Sequence, residues 1–116
     1  MSWISIGSLW AFLAVALGAF GAHGLKRWAG PEALAWWQTG THYHLVHALA
    51  IVAVGLVQAH RPGVALAGWA FLAGTLLFSG TLYAMALGAP RWFGAVTPVG
   101  GVLLLAGWLL LAWRSR

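Results

Sequence analysis

Residues 62–90 read PGVALAGWAFLAGTLLFSGTLYAMALGAP, 29 residues with no charged side chain, between Arg61 and Arg91. A helix crosses a bilayer with about 20 predominantly apolar residues. The stretch is therefore long enough to span, and Pro62 and Pro90 mark where a helix starts and stops. The other charges divide the rest of the chain in the same way. Met1–Leu25, Ala33–His60 and Trp92–Trp113 are uncharged over 25, 28 and 22 residues, and Pro31 stands between Arg27 and Glu32 at the remaining boundary. Hydrophobic residues make up 62% and charged residues 6% of the 116, against about 45–50% and about 25% in soluble domains. An ordinary water-soluble fold is excluded.

The fold expected is an all-α membrane protein, a four-helix transmembrane bundle forming a single domain over residues 1–116, with spans at about 3–24, 41–59, 64–88 and 95–113. Backbone amides in hydrocarbon need partners within the segment, which favours helices. The turns at Pro62-Gly63 and Ala89-Pro90 are tight, so neighbouring helices pack antiparallel. Between the first two spans, Pro31 suits a first helical position and Glu32 the positive end of a helix dipole. With Leu34, Trp36 and Trp37 they predict either a short interfacial helix that Gly40 bends into the second span, or one continuous second helix with an aromatic-rich start.

Composition also excludes function classes. The chain has no cysteine, which rules out disulfides, thiolate metal sites and cysteine nucleophiles. Its net charge of +5 is spread singly or in pairs beside apolar spans, which suits lipid head groups and not nucleic acid. The first stretch lacks a positive n-region and reads as a retained helix, not a signal peptide. There is no nucleophile elbow, phosphate-cradling glycine loop or HExxH. Ala14, Gly18 and Ala22, and likewise Gly80, Ala84 and Gly88, recur every fourth residue, as close helix contacts in membranes require. Such contacts serve the bundle or a homo-oligomer. Trp10-Ala-Phe-Leu-Ala14 also recurs as Trp69-Ala-Phe-Leu-Ala73, an echo expected either of duplicated hairpins or of chance in so apolar a chain.

Let face A be the membrane side where the first helix starts and face B the side where it ends. Alternation sends Trp3, Trp10, Trp69, Trp108 and Trp113 toward A and Trp28, Trp36, Trp37 and Trp92 toward B, the pattern of an aromatic belt. Arg61, Arg114 and Arg116 lie at A, and Lys26, Arg27 and Arg91 at B, so the positive-inside count ties and leaves the orientation open.

Polar residues inside a membrane are the first place to look for function. Here they gather toward B: His23 at the end of the first helix, Glu32 in the connection, Tyr43, His44 and His47 in the second helix, Ser79, Thr81 and Tyr83 in the third, and Thr97 at the start of the fourth. His44 and His47 share one helical face, and Tyr43 and His47 lie on an adjoining stripe. With the second helix beginning near Thr41, His47 is placed about a turn and a half below surface B. Three readings are open. The cluster hydrogen-bonds the helices together. Alternatively, His23, His44 and His47, with Glu32, hold a transition metal, or two histidines bind haem iron in a redox component. In the third, a histidine carries protons in a small transporter or binds a small ligand.

Gly18-Ala-Phe-Gly-Ala-His23-Gly-Leu25, Tyr43 followed by His47-Ala-Leu-Ala50, Phe78-Ser-Gly-Thr-Leu-Tyr83 and Thr97-Pro-Val-Gly-Gly101 together resemble the domain of unknown function 423 family, which is similar to the eukaryotic transmembrane protein 256 group. The resemblance covers essentially the whole chain. It implies a small multi-pass protein of the bacterial inner membrane and carries no activity with it. The family pattern falls on His23, Tyr43, His47, Ser79, Tyr83, Thr97, Pro98, Gly100 and Gly101, and leaves out His42 and His44.

Overall fold

The computed structural model describes Met1–Arg116 and contains four long helices and no strand. They are α1 (Trp3–Ala22), α2 (Pro31–Gln58), α3 (Ala65–Ala86) and α4 (Thr97–Arg114), joined by single 3-10 turns at Leu25–Arg27, Pro62–Val64 and Arg91–Ala95. All four are long and apolar enough to cross a membrane. The molecule is 48 Å long, so its ends pass beyond a hydrocarbon layer of about 30 Å.

The helix limits follow local chemistry. The Ser2 hydroxyl caps α1 by accepting from the Ser5 amide at 3.1 Å, which satisfies one of the free donors of the first turn. Pro31 and Pro98 occupy first-turn positions of α2 and α4, where a missing N–H costs nothing. Gly88, at φ +109°, takes the left-handed conformation that ends α3.

Of the two forms expected before the second span, the continuous helix is observed. The short interfacial helix before the second span is not a separate element, because α2 runs unbroken from Pro31 through Gly40 to Gln58. Gly40 lies inside that helix. Its carbonyl accepts from the Ser79 hydroxyl at 2.7 Å, and the Tyr83 ring lies against its Cα, so α3 packs flat on α2 at this point. The 28 residues of α2 extend about 42 Å at 1.5 Å per residue. His44 and His47 consequently sit in its middle, about 20 and 24 Å from Pro31.

α1 packs on α2, α2 on α3, and α3 on α4. Two glycine contacts let the outer helices come close. A Cβ at Gly7 would lie 2.7 Å from the Val52 amide nitrogen, and one at Gly100 would collide with the Phe78 amide. Gly18, Gly80 and Gly88, from the two expected small-residue stripes, meet nothing within 4 Å. The helices therefore join through other glycines. Toward A lies the larger core, Trp3, Ile51, Val54, Val64, Phe71 and Leu104 among its members. A smaller one, Leu25, Trp37 and Ala86, closes the B end.

Candidate functional site

Two clefts flank the packed α2–α3 pair. On one side α2 and α4, which run in the same direction, stand apart over α3. On the other, α1 and α3 do so over α2. A tryptophan indole spans each cleft: Trp108 of α4 donates to His47 Nε2 at 2.9 Å, and Trp10 of α1 donates to the Thr75 hydroxyl at 2.9 Å.

The α2–α4 groove encloses about 570 Å³ and is lined by Tyr43, Val46, His47, Phe78, Pro98, Gly101, Val102, Leu104, Leu105 and Trp108. No charged residue is among them. His47, only 4% exposed, has both ring nitrogens occupied. Nδ1 lies 2.7 Å from the Tyr43 carbonyl, and Nε2 receives the indole. An indole N–H can only donate, so Nε2 is the acceptor and Nδ1 carries the proton. The Tyr43 ring stacks on His47, 6.0 Å between centroids and 7° from parallel, and packs on Phe78 at 4.7 Å. Tyr43 is 41% exposed, and its hydroxyl makes none of the chain's hydrogen bonds.

The α1–α3 cavity is smaller, about 160 Å³, with walls that include Trp10, Leu13, Leu17, Leu76 and Gly80 and with His44, Thr75, Ser79 and Tyr83 as polar members. His44 Nδ1 is 2.9 Å from the Tyr83 hydroxyl, and the Trp10 ring tilts over the imidazole at 4.6 Å. His44 Nε2 is buried and has no hydrogen-bond partner. The Thr75 hydroxyl passes its own proton to the Phe71 carbonyl at 2.7 Å.

The structure divides the residues that the sequence grouped. Tyr83 bonds to His44, and Ser79 to the Gly40 carbonyl. His47 and Tyr43 face the other cleft. Thr97 pairs with Thr81 at 2.6 Å, and His23 is exposed at the end of α1. The expected metal set of His23, His44, His47 and Glu32 is not brought together, and no group of three or more His, Cys, Asp or Glu side chains could hold an ion. Glu32 forms a surface ion pair with Arg91, whose guanidinium also lies 5.5 Å over the Trp36 ring.

Three residues in these contacts, Thr75, Trp10 and Trp108, were not singled out from the sequence. Both tryptophans were assigned to the belt, yet each stands well inside its span, seven residues from Trp3 and six from Arg114. That offset from the helix ends was the available signal. Trp37 also turns inward: it is buried and donates to the Leu17 carbonyl at 2.7 Å. Trp28, Trp69, Trp92 and Trp113 are exposed as belt residues would be. Trp10 and Trp69, matched in the internal echo, thus occupy different environments.

The family model described as "Protein of unknown function (DUF423)" matches residues 17–101. The UPF0382 inner membrane protein YgdD of Escherichia coli K12 is 48% identical over 106 residues, 86% of this chain and 78% of that protein. A UPF0382 membrane protein of Staphylococcus saprophyticus is 42% identical over 109 residues, 93% of this chain and 91% of its own. For the UPF0382 membrane protein YwdK of Bacillus subtilis the identity is 41% over 111 residues, 93% and 90% of the two chains. No solved structure matches. The chain belongs to the DUF423 family, with UPF0382 membrane proteins as its relatives.

Proposed function

We propose that this is a multi-pass protein of the inner membrane, one transmembrane domain over residues 1–116, that binds a small uncharged lipid in the α2–α4 groove and catalyses no reaction on it. The inner-membrane placement is supported by the printed name of the E. coli relative and by the four apolar helices. The observation that carries the binding assignment is the groove itself, about 570 Å³ without a charged lining residue. A phosphate or carboxylate head would find no cation there, because Arg91 is held at the surface by Glu32. A hydrocarbon chain matches Val46, Val102 and Leu105, and the free Tyr43 hydroxyl offers one hydrogen bond to an ester or alcohol oxygen.

In this reading Tyr43 contacts the ligand and His47 holds its ring in place. Ser79, Tyr83 and Thr97 tie α3 to its neighbours, and His23 contributes to neither. The test uses dioleoylglycerol as probe. A Cβ at Gly101 meets only the Phe78 ring, at 3.7 Å, so Gly101→Leu grows into the groove without moving a helix. Dioleoylglycerol should raise the unfolding temperature of the wild-type protein in mild detergent and leave that of Gly101→Leu unchanged. An equal rise in both, or none in the wild type, overturns the assignment.

A further inference from the structure

The outer side of α2 carries two polar side chains that the fold leaves without a partner. Gln38 and His42 are both exposed and lie four residues apart, on one helical face. The Thr41 hydroxyl bonds to the Gln38 backbone carbonyl, but the Gln38 amide and the His42 imidazole make none of the chain's hydrogen bonds. The imidazole meets the Tyr43 ring edge to face, 5.7 Å between centroids.

Glu32, paired with Arg91 at surface B, precedes His42 by ten residues of the same unbroken helix, about 15 Å along its axis. His42 therefore faces hydrocarbon, where acyl tails offer no hydrogen bond and polar side chains otherwise turn toward a bundle or a cavity. The inward-facing residues at this level are already engaged, Trp37 with α1 and His44 with α3.

Toward A the same face is apolar. Leu45, Leu49 and Leu56 are 38%, 59% and 63% exposed. With Gln38, His42 and the half-buried Val52 they recur at alternating steps of four and three, the spacing of a heptad seam. Any lipid-facing side of a helix shows leucines at such steps, whereas Gln38 and His42 are foreign to lipid. A second copy of the chain accounts for them. Two copies inserted in the same direction are related by a two-fold along the bilayer normal, so equal residues meet at equal depth. A neutral imidazole offers one donor and one acceptor, and a primary amide offers both. A copy inserted the opposite way would set the leucines of the seam against these groups.

We propose that the Gln38, His42, Leu45 and Leu49 face of α2 is the interface of a parallel homodimer, in which the Gln38 and His42 side chains of the two copies hydrogen-bond to one another. The interface adjoins the α2–α4 groove but does not depend on a lipid in it.

Single cysteines in the cysteine-free chain, oxidised in native membranes with a membrane-permeant reagent, test the interface. Leu45→Cys and Leu49→Cys should form disulfide-linked dimers. Phe12→Cys on α1 and Leu109→Cys on α4, each at a position 72% exposed, should stay monomeric. Adding His42→Leu to Leu45→Cys should lower the linked fraction by about threefold or more, and a leucine facing lipid leaves the fold of the single chain intact. Adding His60→Leu instead, at an exposed residue of the A-side turn, should leave it unchanged. Equal cross-linking at all four positions overturns the dimer, as does cross-linking at Leu45→Cys that ignores His42→Leu. Native mass spectrometry from nanodiscs that finds only single chains, bare or carrying a small molecule that His42→Leu releases, overturns it as well.

Discussion

His44 and His47 stand three residues apart on one helix, yet they face different clefts and bond to different helices. His47 holds its proton on Nδ1 because the Tyr43 carbonyl accepts it and the Trp108 indole occupies Nε2. His44 Nδ1 lies 2.9 Å from the Tyr83 hydroxyl on the other side of the α2–α3 pair. Interhelical hydrogen bonds inside membranes contribute about 0.6 kcal/mol on average and up to about 1.7 kcal/mol. Trp108→Phe keeps most of the packing and deletes the donor, leaving a buried acceptor. It should destabilise the bundle by about 1 kcal/mol, measured by reversible unfolding in mixed micelles. His23→Ala, at an exposed side chain, should fall within about 0.5 kcal/mol of the wild type. A larger loss at His23 than at Trp108 would contradict the partition of the polar residues between clefts and surface.

At the scale of helices, the number of spans and their ends were legible because charges and prolines cannot be placed inside a span without cost. Arg61-Pro62 and Pro90-Arg91 locate two turns within a residue or two of where they are observed. The rotation of each helix was not legible. Apolar side chains run all round these helices and the few polar ones fall on more than one side, so no single stripe shows which side faces the bundle. Trp10 and Trp108 were therefore sent to the belt, and the stripe of Gly18 was credited with contacts that Gly7 and Gly100 make. Gly40 appeared as a hinge because a helical glycine reads the same whether it bends or admits a neighbour. The candidate site was half visible: Tyr43, His47, Tyr83 and Ser79 were named, but their partners across 39 or 61 residues depend on that unseen rotation. Gly100→Ala should cost about 1–3 kcal/mol, the range for overpacking a tight contact, since its Cβ would meet the backbone of α3. Gly18→Ala should be neutral or stabilising by up to about 1 kcal/mol, the usual gain of alanine over glycine in a helix. Unfolding of the two variants checks both.

At the scale of the whole molecule, four antiparallel spans place both chain ends on face A. Arg61 donates to the Arg116 carbonyl at 2.8 Å and joins the α2–α3 turn to the end of α4 there. The chain has no cysteine, so single cysteines report position without background. Ser2→Cys and Ser115→Cys should react with an impermeant maleimide from the same side of a sealed vesicle, and Gly30→Cys from the other. The basic residues number three on each face, which leaves the side to experiment, whereas labelling of Ser2→Cys and Ser115→Cys from opposite sides would contradict the four-span fold. That fold leaves two clefts, one on each side of α2–α3, and the wider of them has no charged lining residue and one unpaired hydroxyl. Native mass spectrometry of the wild type and Gly101→Leu, released from nanodiscs of the same bacterial lipid extract, reads its contents directly. The wild type should retain an uncharged lipid at near one-to-one stoichiometry and Gly101→Leu should lack it; equal retention by both proteins, or a bare wild type, would contradict a lipid-binding groove.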